Sequence, residues 1–486
     1  MTGARVTAPD RLRPGALQAR LPLVPLVALA SVALLDSLVS VVYLPALPAI
    51  ARSYHASPAL LGWSVSIPAL VGGAAYPLGG RLGDLYGRRP VVLALLGMFV
   101  AGSACLAFFH SSATLLLGRS AQGALAAAAP LSVALATELV GPERRAQVLP
   151  PIVAVVGAGF GVGFLGGAIA VEKLGLEGMS AALAGLGVAG IAVIWLLVRP
   201  PRRDREAGSV DWAGALLLCT SVGLLLLALG QASSWGWSSP QIVALLIGAG
   251  ALLIAFAVRQ ATATEPLIPR VLLARRRIPV IWAVTLCVAL ALVAVYVLVP
   301  ELLESPAALG GLGLTPTQAG FVLLAPSAAY LLGGVITAAA IARTGVAAAT
   351  AAGMMLSVTG YAGLAATRGT VAATAAFASL TFLGTSVAIA AVSYGTAQVS
   401  APRTVATALS LNTMVIAIGN AIAAQLLATV VAHVGTVGGL PTHDAYTVGF
   451  LLGAGLSVAA VLAALAAAGV LPRRMSINPA AEPAGP

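Results

Sequence analysis

Long apolar runs, separated by short polar breaks, recur from one end of the chain to the other. Each is long enough to cross a hydrocarbon layer of about 30 Å as a helix. The runs at 21–47, 58–79, 90–109, 113–136, 148–170, 179–198, 211–230, 241–258, 278–300, 319–341, 348–366, 371–396, 405–432 and 446–471 predict fourteen transmembrane helices. The alternating segments of about ten residues that a transmembrane barrel needs are absent. The pattern predicts an all-α polytopic membrane protein.

The two longest polar breaks, Arg199–Asp211 and Arg259–Pro279, divide the helices into six, two and six. This predicts a six-helix bundle over 1–205, an inserted transmembrane hairpin and cytoplasmic loop over 206–275, a second six-helix bundle over 276–474, and a tail over 475–486. The hairpin turns at QASSWGWSSP, where Trp235 and Trp237 suit a membrane interface. Two sets of six suggest an internal duplication. A faint echo agrees: setting Gly87 on Gly345 places Asp84 on Ala342 and Leu85 on Arg343, so the second copy keeps the glycine but lacks the acid.

Composition supports the membrane reading, with 59% hydrophobic residues, 8% charged and a mean hydropathy of +1.01. The net charge of +11 raises the question of nucleic-acid binding, and its distribution answers it. With the N-terminus inside, twenty-two basic residues fall in cytoplasmic segments and three (Arg52, Lys173 and Arg368) in outer ones. That is the positive-inside bias of a membrane protein, with both termini cytoplasmic and some attraction to anionic lipid. No nucleic-acid partner is expected. The run from Leu21 is too long for a signal-peptide core and reads as a retained first helix. Cys105, Cys219 and Cys287 sit in three separate apolar runs, so they imply neither a disulfide framework nor a metal site.

One polar island stands out, GGRLGDLYGRRP from Gly79 to Pro90. A tight connection uses glycine for positive φ and close backbone approach. The acid can cap a helix N-terminus while the arginines pair with it and meet headgroups. Read as GxLGDxxGRR, through Gly80, Gly83, Asp84, Gly87, Arg88 and Arg89, the island resembles the loop-2/3 signature of the major facilitator superfamily. Four other stretches extend the likeness over nearly the whole chain. Arg119, Gln122 and Gly123 match the RxxQG element of the fourth helix. LDSLVSVVYLP keeps Leu35, Asp36, Leu44 and Pro45 of the first-helix pattern of drug:proton antiporters, with Leu38 and Val41 where polar residues are usual. GVGFLGGAIA is similar to the antiporter fifth-helix motif, keeping Gly166 and Gly167 but with Gly163 where proline is usual. DWAGALLL, WGWSSP and EPLIPRVLLARRR resemble the hairpin and following loop of the fourteen-helix multidrug-efflux branch, although an aromatic WRW stretch is missing after the fifth helix.

Asp36 is the acid whose position carries most chemistry, because a carboxylate deep in a membrane helix marks a proton or ion pathway. Ser40 and Tyr43 share its face and, with Gln122, are candidates to line a substrate cavity. Arg119 lies at a depth from which it could reach Asp36, giving a switchable pair. Glu301 is the alternative proton carrier, at the outer end of helix nine, and the four histidines fall at outer ends or loops. GVGFLG also matches GxGxxG from Gly161 to Gly166, but inside a membrane helix it reads as helix packing through Gly163 and Gly167, and no nucleotide is expected. No cofactor, metal or catalytic residue is expected, since no nucleophile–base pair or ligand cluster sits at membrane depth.

The resemblance implies a proton-coupled exporter of small apolar or amphipathic, drug-like compounds in a bacterial cytoplasmic membrane. It would alternate two halves around a midplane site and act as a monomer, with substrate, protons and membrane lipid as its partners. A proton-linked uptake carrier or a lipid exporter of the same fold remain open; an intramembrane enzyme is disfavoured. If the fourteen-helix count is right, cysteines at Ser233 and Thr262 in a cysteine-free background should label from opposite sides with an impermeant reagent. Labelling of both from outside would remove the hairpin.

Overall fold

In the computed structural model, residues 22–55, 58–140, 144–199, 211–264, 266–270, 272, 277–367, 369–401, 404–437 and 440–471 are described. They form fourteen long helices. In chain order these are α1 Leu23–Val42, α2 Pro58–Tyr86, α3 Arg88–Phe108 and α4 Ser112–Val140. Then come α5 (145–174) and α6 (176–197), two limbs of a segment broken at Gly175, where φ is 70°. The hairpin is α7 Trp212–Trp235 and α8 Pro240–Thr262. The remainder are α9 Arg277–Glu304, α10 Pro316–Thr344, α11 Val346–Ala366, α12 Val371–Val399, α13 Val405–Val434 and α14 His443–Ala466. By hydropathy alone twelve spans are recognisable. One of these is the doubled α5–α6 segment, and α2 is the fourteenth helix, which carries Arg81 and Asp84. The predicted count holds.

Two helix ends differ from expectation. The first helix stops at Val42 rather than running to 47, and a short helix, Leu47–Ser53, follows the turn. Pro45 and Pro48 explain the stop, because proline lacks the amide that continues a helix. The second helix is longer than predicted, running through the island to Tyr86, and α3 begins at Arg88. The connection is one residue, Gly87, with φ 96°. Gly345 joins α10 to α11 the same way, with φ 85°. The Gly87–Gly345 correspondence seen in the sequence is therefore a structural one. Within α4, a 3-10 turn over Ala124–Ala127 precedes Pro130, whose ring crowds the carbonyl four residues back.

The helix ends alternate. Among the described residues Arg81, Arg88, Arg89, Arg144, Arg145, Arg259, Arg270, Arg277 and Arg343 gather at one end of the bundle, hereafter the arginine-rich end. The halves meet along two seams, α5 with α10 and α2 with α13, and α7 of the hairpin lies against both α2 and α13. The hairpin's own base is held by Asp211, whose Oδ1 accepts from the Gly214 amide at 2.9 Å and from Arg259 Nε at 3.0 Å. Burial works against its ionisation, yet these bonds and the Arg259 charge hold the Asp211 carboxyl below its ordinary range.

Small residues set the approach of α5 to its neighbours. A Cβ on Gly163 would lie 2.7 Å from the Leu38 carbonyl oxygen of α1, and one on Gly167 would overlap the backbone at Val42. Gly157 and Gly161 on another face receive the Tyr330 ring and Ser327 of α10, whose Oγ accepts from the Gly161 amide at 2.8 Å. Gly166, grouped with Gly163 and Gly167 in the sequence reading, faces open space and is not a packing residue. Gly163→Val should therefore force α1 and α5 apart, at a cost of about 1–3 kcal/mol. Gly166→Ala should be close to neutral. Thermal unfolding followed by tryptophan fluorescence checks this; equal midpoints for the two variants would refute the assignment.

Candidate functional site

A cavity of about 380 Å³ lies between the halves at mid-depth. Its walls come from α1, α2, α4 and α5 on one side and from α9, α10, α12 and α13 on the other. Asp36, Ser37 and Ser40 of α1 face it, as do the rings of Tyr76, Phe160, Tyr296 and Tyr330. Phe160 meets Tyr296 edge-on with centroids 4.6 Å apart, an aromatic contact made across the two halves. Asp36 is the single charged residue among those lining the cavity. Ser40 Oγ donates to the Asp36 backbone carbonyl at 3.0 Å, leaving the carboxyl to the cavity. Asp36 and Ser40, singled out in the sequence, thus both line the cavity.

Arg119 is elsewhere. Its Nε donates to the Ser64 carbonyl at 2.9 Å and its Nη1 to Gln122 Oε1 at 2.8 Å, and the guanidinium lies 4.1 Å from the centre of the Tyr43 ring. Gln122 Nε2 donates to Tyr43 OH and to Ser103 Oγ, each at 2.9 Å. All three residues are buried. The Arg119–Gln122 spacing of three residues does bring these side chains together, as expected. Two expectations are corrected: Tyr43 and Gln122 do not line the cavity, and in this conformation no ion pair joins Arg119 to Asp36. The cause is rotational, since α1 ends before Tyr43, which turns its hydroxyl toward α4 and away from the face that Asp36 shares with Ser40. Glu301 is half-buried near the end of α9, outside the cavity lining.

The island residues form a buried junction at the arginine-rich end. Asp84 Oδ2 accepts from the Thr407 amide at 2.9 Å and from Thr407 Oγ1 at 2.7 Å. Thr407 lies in the first turn of α13, so a carboxylate from one half caps a helix of the other. Asp84 Oδ1 pairs with Arg88 Nη2 at 3.2 Å, and Arg88 Nη1 reaches Glu138 at 3.0 Å and the Ala134 carbonyl at 2.6 Å. Arg89 donates to the Trp195 carbonyl. Of the island glycines that the sequence reading singled out, Gly87 alone needs positive φ. Gly80 and Gly83 are helical and are small for packing: a Cβ on Gly80 would sit 2.8 Å from Ser410 of α13, and one on Gly83 would strike Leu131. Beside this junction Arg145 of α5 donates to the Ala397 carbonyl of α12 at 3.4 Å, a further bond between the halves.

Two helical halves, latched at one end and enclosing a central cavity, are the architecture of an alternating-access membrane carrier. The family model of the Major Facilitator Superfamily matches residues 29–424, and the chain belongs to that superfamily. It is 35% identical over 222 residues to the cephamycin export protein of Amycolatopsis lactamdurans, covering 44% of this chain and 45% of that protein. It is 26% identical over 319 residues to the tetracenomycin C resistance and export protein of Streptomyces glaucescens, covering 63% and 56%. The chain thus spans about half the length of these curated relatives. Among solved structures, the human organic anion transporter MFSD10 superposes with a TM-score of 0.65 at 18% identity, over 92% of this chain and all of that one. The proton:xylose symporter XylE gives 0.60 at 15%, over 93% and 96%. These establish the fold.

The Asp84 junction yields a direct expectation. Asp84→Asn removes the charge from bonds worth roughly 1.5–3 kcal/mol. The equilibrium at the arginine-rich end should shift toward the separated form by about tenfold or more. Spin labels at the exposed positions Tyr86 and Gln398, one per half, report this by double electron–electron resonance. An unchanged distance distribution would mean that Asp84 does not latch the halves.

Proposed function

We propose that the chain is a proton-coupled exporter of small apolar or amphipathic compounds, acting by alternating access across a bacterial cytoplasmic membrane. The observation that carries this reading is a central cavity with one carboxylate, Asp36, beneath a seam closed by Asp84 at a single end. Family membership supports carriage of a small molecule. The export and resistance functions in the names of the cephamycin and tetracenomycin C relatives support outward transport. With the arginine-rich end cytoplasmic, as the positive-inside bias requires, the conformation here is sealed toward the cytoplasm. Residues 1–21 and 472–486 lie outside the described residues, and we assign both termini to the cytoplasm from charge alone.

In this reading Asp36 takes a proton when the cavity faces outward and releases it when the halves rock to face inward. Substrate moves the other way on the same surface. Arg119, held by Gln122 and Tyr43, stiffens the α1–α4 contact that carries Asp36, and Glu301 serves at the outer rim. Both halves of the site lie in one chain, so a monomer suffices, surrounded by lipid. Division into bundles over 1–205 and 276–474 around the hairpin follows the same logic.

Asp36→Asn should abolish uphill export driven by a pH gradient while sparing downhill exchange of substrate for substrate, which needs no net proton movement. Glu301→Gln should reduce transport by no more than a few-fold. Proteoliposomes with an imposed pH gradient separate the cases. Continued accumulation by Asp36→Asn, with loss in Glu301→Gln, would move the proton site to α9.

A further inference from the structure

The Asp84 latch grips a single helix of the second half, α13, and the rest of that half closes only if α13 brings it along. Thr407 donates to the Asp84 carboxylate of α2, and Ser410, three residues on, meets Gly80 of the same helix. At about 100° per residue these two positions lie within about 60° of each other around the α13 axis, so this face of α13 belongs to α2. Asn412 is five residues from Thr407, about 140° round the axis, and faces away.

What Asn412 faces is its own half. Its Oδ1 accepts from Thr285 Oγ1 of α9 at 2.9 Å and from Thr396 Oγ1 of α12 at 3.3 Å. All three residues are at most 1% exposed. Each threonine hydroxyl also lies close to the carbonyl four residues earlier in its own helix, Ile281 at 2.9 Å and Val392 at 3.0 Å, which fixes its rotamer. One amide oxygen thus ties three helices at a point. About two turns further along, α13 meets α9 through Gly419 against Ala289. That apolar contact has no direction, whereas a hydrogen bond weakens steeply once its angle or length changes.

We propose that Asn412 is a positioning residue for transport: it fastens α9 and α12 to α13, so that the grip of Asp84 on Thr407 is carried into the second half as a whole. It acts through the α13 backbone, five residues from Thr407. This rests on the alternating-access reading and on Asp84 as the latch between the halves. Without the amide, α13 stays with α2 while α9 and α12 separate from it. The cavity wall that α9, α12 and α13 share then parts at Asn412.

Double electron–electron resonance with the full chain in nanodiscs tests it, using spin labels at the exposed positions Tyr86 of α2 and Gln398 of α12. Asn412→Leu keeps the bulk of the side chain and removes the acceptor. Each threonine keeps its own helix carbonyl, so thermal unfolding should stay near that of the parent. The population with the labels far apart should rise about tenfold. Asp84→Asn, about tenfold on its own, should then add less than twofold in the Asn412→Leu background, because the latch no longer reaches α12. Thr285→Val should act in the same direction as Asn412→Leu, and Thr285→Ser, which keeps the hydroxyl, should restore the parent distribution. A residue that merely packs would give effects that multiply. Multiplying effects, an unchanged distribution in Asn412→Leu, or equal behaviour of Thr285→Val and Thr285→Ser would overturn the proposal. If Asp84→Asn leaves the parent's distribution unchanged, the latch reading itself fails and the role of Asn412 falls with it.

Discussion

The Asp84 carboxylate at the first turn of α13 joins the two halves at the arginine-rich end through a buried charge. Asp84 and Arg88 are 4% and 2% exposed, so their charges must be balanced locally. Arg88 lies between two carboxylates, Asp84 and Glu138. The amides at the start of α13, equivalent to about half a positive charge, add to the stabilisation of the Asp84 carboxylate. Hydrogen bonds at 2.7 and 2.9 Å do not stretch gradually into an intermediate geometry. Either α13 stays and the charge is satisfied, or it leaves and water must replace it. An electrostatic junction of this kind favours two discrete positions.

The other seam is built differently. Where α2 meets α13 through a charge, α5 meets α10 through Gly157, Gly161 and Gly334, with backbone and side chains in direct contact. The loss of the acid in the second copy, where Ala342 stands in place of Asp84, matches this difference, since α10 has no carboxylate to offer at that end. Gly87 and Gly345 make the same one-residue connection in the two halves, so the backbone corresponds there while the chemistry differs. The hairpin covers the charged seam. Cys219 of α7 donates to the Ala74 carbonyl of α2 at 2.8 Å, and the same helix touches α13.

The helices were legible in the sequence because a bilayer imposes length and apolarity on each of them. The island was legible as well, since charge among apolar residues must have partners, though its residues proved mostly helical. What one sequence does not carry is rotation about a helix axis. Depth along α1 and α4 put Asp36 and Arg119 within reach, and the observed azimuths direct one to the cavity and the other to Tyr43 and Gln122. The α13 wall went unnoticed for another reason. Two asparagines eight residues apart in an apolar run carry no charge to mark them.

Latch and cavity are joined by a single element. Thr407 and Asn412 are five residues apart on α13, roughly 8 Å along the helix axis, and no break lies between them. Gly80 packs on Ser410 between these two points, so α2 and α13 fit at close range over the same turns. A movement of α13 large enough to free Asp84 must also carry Asn412 and Asn420 away from the wall that holds Asp36. In the proposed cycle, release of Asp84 and opening of the cavity toward the arginine-rich end are then one rigid-body event. This is the coupling that a two-position carrier requires, and it arises because one straight helix reaches both sites.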